Sequence, residues 1–185
     1  LQWAVMYPDY ARHIVTIVGT PQATARDLEV WKAEMNAIER TPGWNGGNYL
    51  PGTAFKNLAA LHTESLWTPE HQAAKTVAGK RATEDRLHGT QTSQSFNAVD
   101  WYRQLQAMTT FDLVRDGDMP TLAKKIKARM LIIASEQDRL VDPEPSKALA
   151  KAKGAKLLLL NNDCGHMAPV CEMGKVDEAV KAFLK

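Results

Sequence analysis

The sequence predicts an α/β fold in which a parallel sheet is flanked by helices and carries a mostly helical insertion. The later part of the 185-residue chain alternates strand-like and helix-like segments, and such alternation implies parallel strands joined by crossover connections. The strand-like segments are nearly continuous apolar runs, as expected where helices cover both faces of a sheet. The stretch 21–120 instead has helical segments separated by loops that contain glycine and proline.

The first predicted elements are a short helix and a strand. Trp3, Met6 and Tyr7 share one face at helical spacing, and Pro8 ends this helix. The β-branched run 14–18 follows and is typical of a strand buried on both faces. The chain has no initiator methionine, so we expect it to begin within a helix.

Two amphipathic helices are predicted within the insertion. Apolar residues recur three and four positions apart over 27–38 and over 98–108. We expect residues 21–120 to form a helical cap between two parts of one core, residues 1–20 and 121–185.

The last part of the chain is predicted to contain, in order, helix 122–126, strand 130–134, helix 144–153, strand 157–160 and helix 175–184. Three strands are few for a sheet of this kind, and the first would present an unpaired edge. We therefore expect a companion segment, either part of a precursor or a separate chain, to complete the sheet.

Composition limits the function classes. The 23 basic and 21 acidic residues are interspersed and give a formal charge of +2, which argues against nucleic acid as a partner. Apolar runs such as 130–134 are too short to cross a bilayer, and the first residues lack the pattern of a signal peptide. The two cysteines are too few for a disulfide framework and fit a reducing compartment. We expect a cytoplasmic protein that binds no membrane.

Polar segments follow the last two predicted strands, at 135–143 and 161–169. Catalytic groups of parallel sheets gather beyond the carboxyl ends of the strands, so Asp138 and His166 are expected to meet there. A carboxylate in that position fixes the imidazole tautomer and stabilises its protonated form. These two groups are the acid and base of a nucleophile-activating triad. The Gly-x-Ser-x-Gly elbow that carries the serine of such triads does not occur in this sequence.

Other side chains compete for these roles. Asp142 is the alternative acid, but it precedes Pro143 and is more typical of a helix start. Cys164 lies two residues from His166, a spacing that rarely gives nucleophile and base the geometry they need. The other histidines lack metal-ligand spacing, so we expect no metal site and place them at the surface: His13, His62, His71 and His88.

Three segments resemble homoserine O-acetyltransferases. Residues 1–8 are similar to the helix after the elbow serine of that family. The loop 41–49 resembles its Asp-Pro-x-Trp-x-Gly-Gly-x-Tyr motif, and 95–112 resembles its Phe-Asp-Ala-Asn-Ser-Tyr cap helix. The resemblance covers essentially the whole chain and implies the C-terminal part of an α/β-hydrolase fold.

The resemblance also implies an activity. A serine outside this chain would take an acetyl group from acetyl-CoA and pass it to a hydroxyl group, with Asp138 and His166 as acid and base. Acetyl-CoA, or another acyl donor, would then be a substrate and no cofactor would stay bound. The implied partner is the segment that carries the serine, without which this chain would be inactive, and a homodimer is left open.

The chain departs from the family pattern in two places. Met167 follows the histidine where family members that use homoserine have aspartate, and 64–68 lacks their carboxylate-binding arginine. A more apolar acceptor, or water, is therefore expected, in a pocket to which we assign Trp101, Tyr102 and Met167. Two alternatives stay open, a hydrolase of esters or related acyl compounds and a non-catalytic remnant or interaction subunit.

Overall fold

The computed structural model describes residues 1–50, 53, 55–74 and 97–185. These residues form a parallel sheet with β2 in the centre, so the predicted α/β class is confirmed. The strands are β1 (His13–Ile17), β2 (Arg129–Ser135) and β3 (Lys156–Leu160). Thr16 pairs with Ile132, which pairs with Leu157. All three carboxyl ends therefore lie along one edge of the sheet.

Of the nine helices in the described residues, six lie close to predicted helices, with ends that differ by a few residues, whereas α3, α4 and α8 were not predicted individually. In chain order they are α1 (Gln2–Met6), α2 (Ala25–Glu39), α3 (Lys56–Leu66), α4 (Pro69–Ala74), α5 (Ala98–Thr110), α6 (Met119–Lys125), α7 (Glu144–Lys153), α8 (Ala168–Cys171) and α9 (Met173–Leu184). Two 3₁₀ turns accompany them, Asn45–Gly47 and Gly165–Met167. Among the residues that the structure describes, no helix is long and apolar enough to cross a membrane.

Side-chain caps determine where several helices begin. Thr24 accepts the backbone N–H of Asp27, and the Asp27 carboxylate accepts that of Thr24 in return, which is a capping box. Asn97 and Asp118 cap α5 and α6, because their side-chain oxygens accept backbone N–H groups of the first helical turn. Each such cap contributes about 1 kcal/mol to helix stability.

The core has a layer on each face of the sheet. On one face Ile132 packs with Leu122 of α6 and Leu149 of α7. On the other face Ile133 packs in one cluster with Phe183 of α9. A third cluster joins the insertion to the turn after β2. Its buried members include Trp31, Ile38, Leu58 and Leu105 of the insertion and Leu140 and Val141 of that turn.

The outer strands are less buried than the sequence indicates. Residues 130–135 of β2 are all buried, but Ile17 of β1 and Leu157 and Leu159 of β3 are exposed. The expectation that β1 and β3 are covered on both faces was therefore wrong. Within the described residues β1 and β3 have a strand on one side only, and the helices lie mainly over β2.

The insertion between β1 and β2 leaves and rejoins the core at one point. Gln22 and Asp112 form an antiparallel bridge, and the backbone N–H of Leu113 donates to the carbonyl oxygen of Pro21 at 3.0 Å. Helix α2 packs against both α3 and α5 to form the body of the insertion. Of the segment that resembles a family cap helix, residues 95 and 96 lie outside the described part of the chain.

Candidate active site

The structure brings Asp138 and His166 together at the carboxyl edge of the sheet. Asp138 lies in the turn after β2, and His166 lies in the 3₁₀ turn after β3. Nδ1 of His166 is 2.8 Å from Oδ2 of Asp138. When Nδ1 donates to this carboxylate, Nε2 is left as an acceptor, which is the state a general base requires.

The carboxylate of Asp138 is buried and its acceptors are occupied. Its side chain is 2% exposed, whereas that of His166 is 19% exposed. Oδ1 accepts the backbone N–H groups of Leu140 and Val141, both at 2.9 Å. A buried charge needs partners of this kind. They also fix the orientation of the carboxylate, because both oxygens are held from different directions.

Asp142, the competing acid, has a different position. Its Oδ1 accepts the backbone N–H of Glu144 at 3.0 Å, next to Pro143 at the N-cap of α7. Its own backbone N–H donates to Oδ1 of Asp27 at 2.7 Å. Asp142 therefore organises the start of α7 and the contact with α2.

Helix α2 holds the turn that carries Asp138. Nη2 of Arg26 donates to the carbonyl oxygen of Asp138 at 2.6 Å, and Nε1 of Trp31 donates to that of Leu140 at 3.1 Å. Asp27 also holds this turn through the bond to the backbone N–H of Asp142. Burial raises the pKa of the Asp27 carboxyl group, although hydrogen bonds from backbone N–H groups act in the opposite direction. Sequence patterns do not indicate these contacts, because they join residues more than 100 positions apart.

Gly165 explains how the histidine turn fits against the insertion. Its φ is +61°, and a Cβ at this position would lie 2.8 Å from the carbonyl oxygen of Leu66. The hydroxyl of Thr68 also donates to the carbonyl oxygen of Asp163. The end of α3 therefore packs against the turn that carries His166, and only glycine allows this approach.

The two cysteines form a disulfide, Cys164–Cys171, across the histidine turn. The expectation from cysteine usage was wrong, because α8 turns the chain back and brings Cys171 to Cys164. The pairing removes the argument for a reducing compartment. It also leaves Cys164 without the free thiolate that a nucleophile requires.

Three histidines expected at the surface are partly buried instead: His13, His62 and His71. The ring of His13 packs against that of Phe183. His62 Nδ1 lies 3.1 Å from Oε1 of the fully buried Glu34, whose Oε2 accepts Nε1–H of Trp101 at 3.2 Å. His71 Nδ1 lies 3.3 Å from Oδ1 of Asp163. The carboxylate partners of His62 and His71 come from distant parts of the chain, which spacing alone does not indicate. The position of His88 lies outside the described residues.

Three side chains near the site carry donor atoms of the kinds that bind metal ions. The ligand atoms of His71, Asp163 and Cys164 lie within 4.8 Å of one another. The sulfur of Cys164 is bonded to Cys171, so this set lacks the thiolate that would bind a soft metal ion. The geometry therefore gives no support for a metal centre here.

A cavity of about 450 Å³ opens beside His166. Its walls include Trp31, Trp101, Met108, Phe111, Leu140 and Val141. Of the residues assigned to a substrate pocket, Trp101 lies in this wall. Tyr102 and Met167 are not part of it. Tyr102 turns away because its hydroxyl donates to Glu39 and its ring packs against Trp44. Met167 lies half-buried in the 3₁₀ turn.

The chain is similar over its whole length to homoserine O-acetyltransferases. It is 30% identical to the enzyme of Chloroherpeton thalassium, with all of this chain and 52% of that enzyme aligned. It is 27% identical to the enzyme of Trichormus variabilis, with 99% of this chain and 55% of that enzyme aligned. The chain thus spans about half the length of the curated relatives it matches. No family model matches the sequence.

Solved structures show the same fold. Homoserine O-acetyltransferase from Bacillus anthracis superposes with a TM-score of 0.79 at 18% identity, over 100% of this chain and 56% of that one. Esterase E22 superposes with a TM-score of 0.81 at 21% identity, over 99% and 57%. The acetyl esterase MekB gives 0.80 at 19% identity, over 98% and 56%. At these identities the likeness establishes the fold and leaves the reaction open.

Proposed function

We propose that this chain, a homoserine O-acetyltransferase-like part of an α/β-hydrolase fold, supplies the acid and the base of a serine-dependent acyl-transfer enzyme. The observation that carries the proposal is the 2.8 Å contact between Nδ1 of His166 and Oδ2 of Asp138. Residues 1–20 and 121–185 would belong to the catalytic core, and residues 21–120 would form its cap.

The proposed mechanism assigns one step to each group. Nε2 of His166 takes the hydroxyl proton of a serine while the serine oxygen bonds to the acyl carbon of the donor. Asp138 holds the imidazole in the reactive tautomer and stabilises the imidazolium that forms. The protonated His166 then gives its proton to the leaving group. In the second half-reaction it takes a proton from the acceptor, whose oxygen bonds to the acyl carbon, and it returns this proton to the serine oxygen as the acyl–serine bond breaks.

Several parts of this mechanism lie outside the chain. The sequence has no Gly-x-Ser-x-Gly elbow, so the serine would come from a further segment of the complete protein. That segment would also supply the main oxyanion donors. The proposed donor is acetyl-CoA or another acyl-CoA, and the proposed acceptor carries a hydroxyl group.

Transfer to water is a second candidate reaction. Met167 stands where homoserine-using family members have aspartate, and the fold is equally similar to esterases. The same acid and base would serve both reactions, because an acyl-serine reacts with whichever hydroxyl reaches it. The two reactions differ only in the acceptor, which is a hydroxyl compound in one and water in the other.

An acceptor-dependence assay on the full-length enzyme tests these proposals. Acetyl-CoA and p-nitrophenyl acetate are supplied with and without a hydroxyl acceptor, and both donor loss and acylated acceptor are measured. A transferase gives product that requires the acceptor, whereas a hydrolase releases acetate without one. If neither donor is consumed by the folded enzyme, the proposed function is wrong.

A further inference from the structure

The cavity beside His166 is lined mostly by aromatic and aliphatic side chains. Its lining includes Trp31 of α2, Trp101 and Met108 of α5, and Leu140 and Val141 of the turn 136–143 that carries Asp138, here called the acid turn. His166 lies in the wall, so a group bound in this cavity lies against the proposed base. Aromatic and aliphatic walls with few polar groups are typical of sites for apolar ligands.

Fixed charge is scarce around this cavity. Among the described residues that line it, His166 is the one with an ionisable side chain, and Thr20 and Gln104 are uncharged. The carboxylate of Glu34 is not part of the lining, and its oxygens contact His62 Nδ1 and Trp101 Nε1. A buried ammonium group would therefore lack a counter-charge in the described wall, at a large cost in free energy. A carboxylate group could pair there only with protonated His166, which would then not act as a base.

The described wall of the cavity encloses space for a group larger than acetyl. Its volume is about 450 Å³. A water molecule occupies about 30 Å³ in the liquid, so the cavity has room for roughly fifteen water-sized groups. An acetyl group alone would leave most of this space unfilled.

We infer that this cavity binds an uncharged alkyl or aryl group of the substrate, so the preferred substrates are apolar carboxylic esters or alcohols and not α-amino acids. The inference rests on the proposed function, because it concerns the same His166. The apolar group can belong to the acyl part or to the alcohol part of the ester. The two arms of the test below distinguish these sources.

Two substrate series measured on the full-length enzyme test the inference. The acyl arm uses p-nitrophenyl acetate, butyrate and octanoate, and the alcohol arm uses ethyl, butyl and benzyl acetate. In the arm whose group enters the cavity, kcat/KM should rise about fourfold for each methylene buried. Homoserine, offered with acetyl-CoA, should be a poorer acceptor than butanol or benzyl alcohol.

Variants at Ala107 test whether the preference for larger apolar groups arises in the cavity. Ala107 lines the cavity on the exposed side of α5, so its replacement should not prevent folding. Ala107→Glu should reduce the preference for the larger apolar group at least tenfold relative to Ala107→Gln, which has the same shape without the charge. Thr110→Glu adds the same charge on the exposed helix end, away from the cavity wall, and should keep the wild-type preference.

The outcomes separate the two proposals. Turnover of the acetates with kcat/KM falling along both series would overturn the apolar site and leave acyl transfer standing. Efficient acetylation of homoserine would have the same consequence. Equal preferences in Ala107→Glu and Ala107→Gln would also overturn it. If the wild-type enzyme consumes no ester or thioester, the proposed function is wrong and the inference that rests on it is wrong too.

Discussion

The Asp138 carboxylate receives three hydrogen bonds, from Nδ1 of His166 and from the backbone N–H groups of Leu140 and Val141. The two backbone bonds would form with any acid in this turn. The bond to His166 is different, because it joins two strand ends and determines which imidazole nitrogen carries the proton. This single contact carries the proposal that Asp138 orients a base, which an ordinary turn aspartate would not do.

Replacing Asp138 by asparagine should therefore impair the reaction more than the fold. An amide can present its NH₂ group to Nδ1 and so favour the wrong tautomer, and we expect kcat to fall on the order of 10⁴-fold, the effect of the matching change in a serine protease triad. Steady-state kinetics of the full-length enzyme with p-nitrophenyl acetate measure this. Asp142→Asn is the control and should keep a near-normal rate. Near-normal rates for Asp138→Asn would show that the acid is misassigned.

Gly165 gives a second prediction at the level of one residue. Alanine there would place its Cβ 2.8 Å from the carbonyl oxygen of Leu66 and would adopt an unfavourable φ of +61°. We expect Gly165→Ala to lower the free energy of unfolding by about 1–3 kcal/mol and to reduce turnover. Thermal denaturation followed by circular dichroism measures the stability.

Gly174 provides the matched control for this substitution. It lies in α9, and a Cβ there would meet no atom within 4 Å. Gly174→Ala should leave turnover unchanged and raise stability by up to about 1 kcal/mol, because alanine favours helix. Equal stabilities of the two variants would contradict the packing described for the histidine turn.

At the scale of elements, α2 connects the insertion to the acid turn. Asp27 caps the start of α2 and also accepts the backbone N–H of Asp142. Helix α2 thus has two functions: its apolar face contributes to the core of the insertion, and its first turn fixes the position of Asp138.

Removal of the Asp27 carboxylate should therefore affect both stability and rate. Asp27→Ala leaves the N–H of Asp142 without its acceptor, and we expect a loss of about 1–3 kcal/mol together with a lower kcat. Asp118→Ala removes a comparable cap from α6, which lies away from the acid turn. This control should lose about 1 kcal/mol and keep its kcat. A decrease in kcat of the same size in both variants would argue against a positioning role for Asp27.

Elements with strong local patterns were predictable from the sequence. The apolar run of β2, the amphipathic α5 and the polar turns after β2 and β3 all have the predicted order, and Asp138 and His166 lie at the expected strand ends. Contacts between distant segments were not predictable in this way. The Glu34–His62 pair and the Cys164–Cys171 disulfide depend on how helices pack and turn back, which periodicity does not encode.

At the scale of the whole molecule, the insertion supports both turns of the site. Helix α2 bonds to the acid turn, and the segment after α3 bonds to the histidine turn through Thr68. The cavity is lined by residues of the insertion and of the turn after β2 together with His166. Under the proposed function, changes in the insertion residues of this wall would alter substrate choice while the acid and base stay in place. Under the proposed function, the residues that select the substrate therefore differ from those that carry out the reaction.

Covalent labelling of the full-length enzyme tests the central claim most directly, because it reports the activated serine independently of the natural substrate. A fluorophosphonate reacts with a serine whose proton is removed by a neighbouring base. Intact-mass and peptide mass spectrometry should find the label on a serine, and labelling should become orders of magnitude slower in His166→Ala with the fold retained. Labelling of His166→Ala at the wild-type rate, or no serine adduct in the wild-type enzyme, would contradict the account.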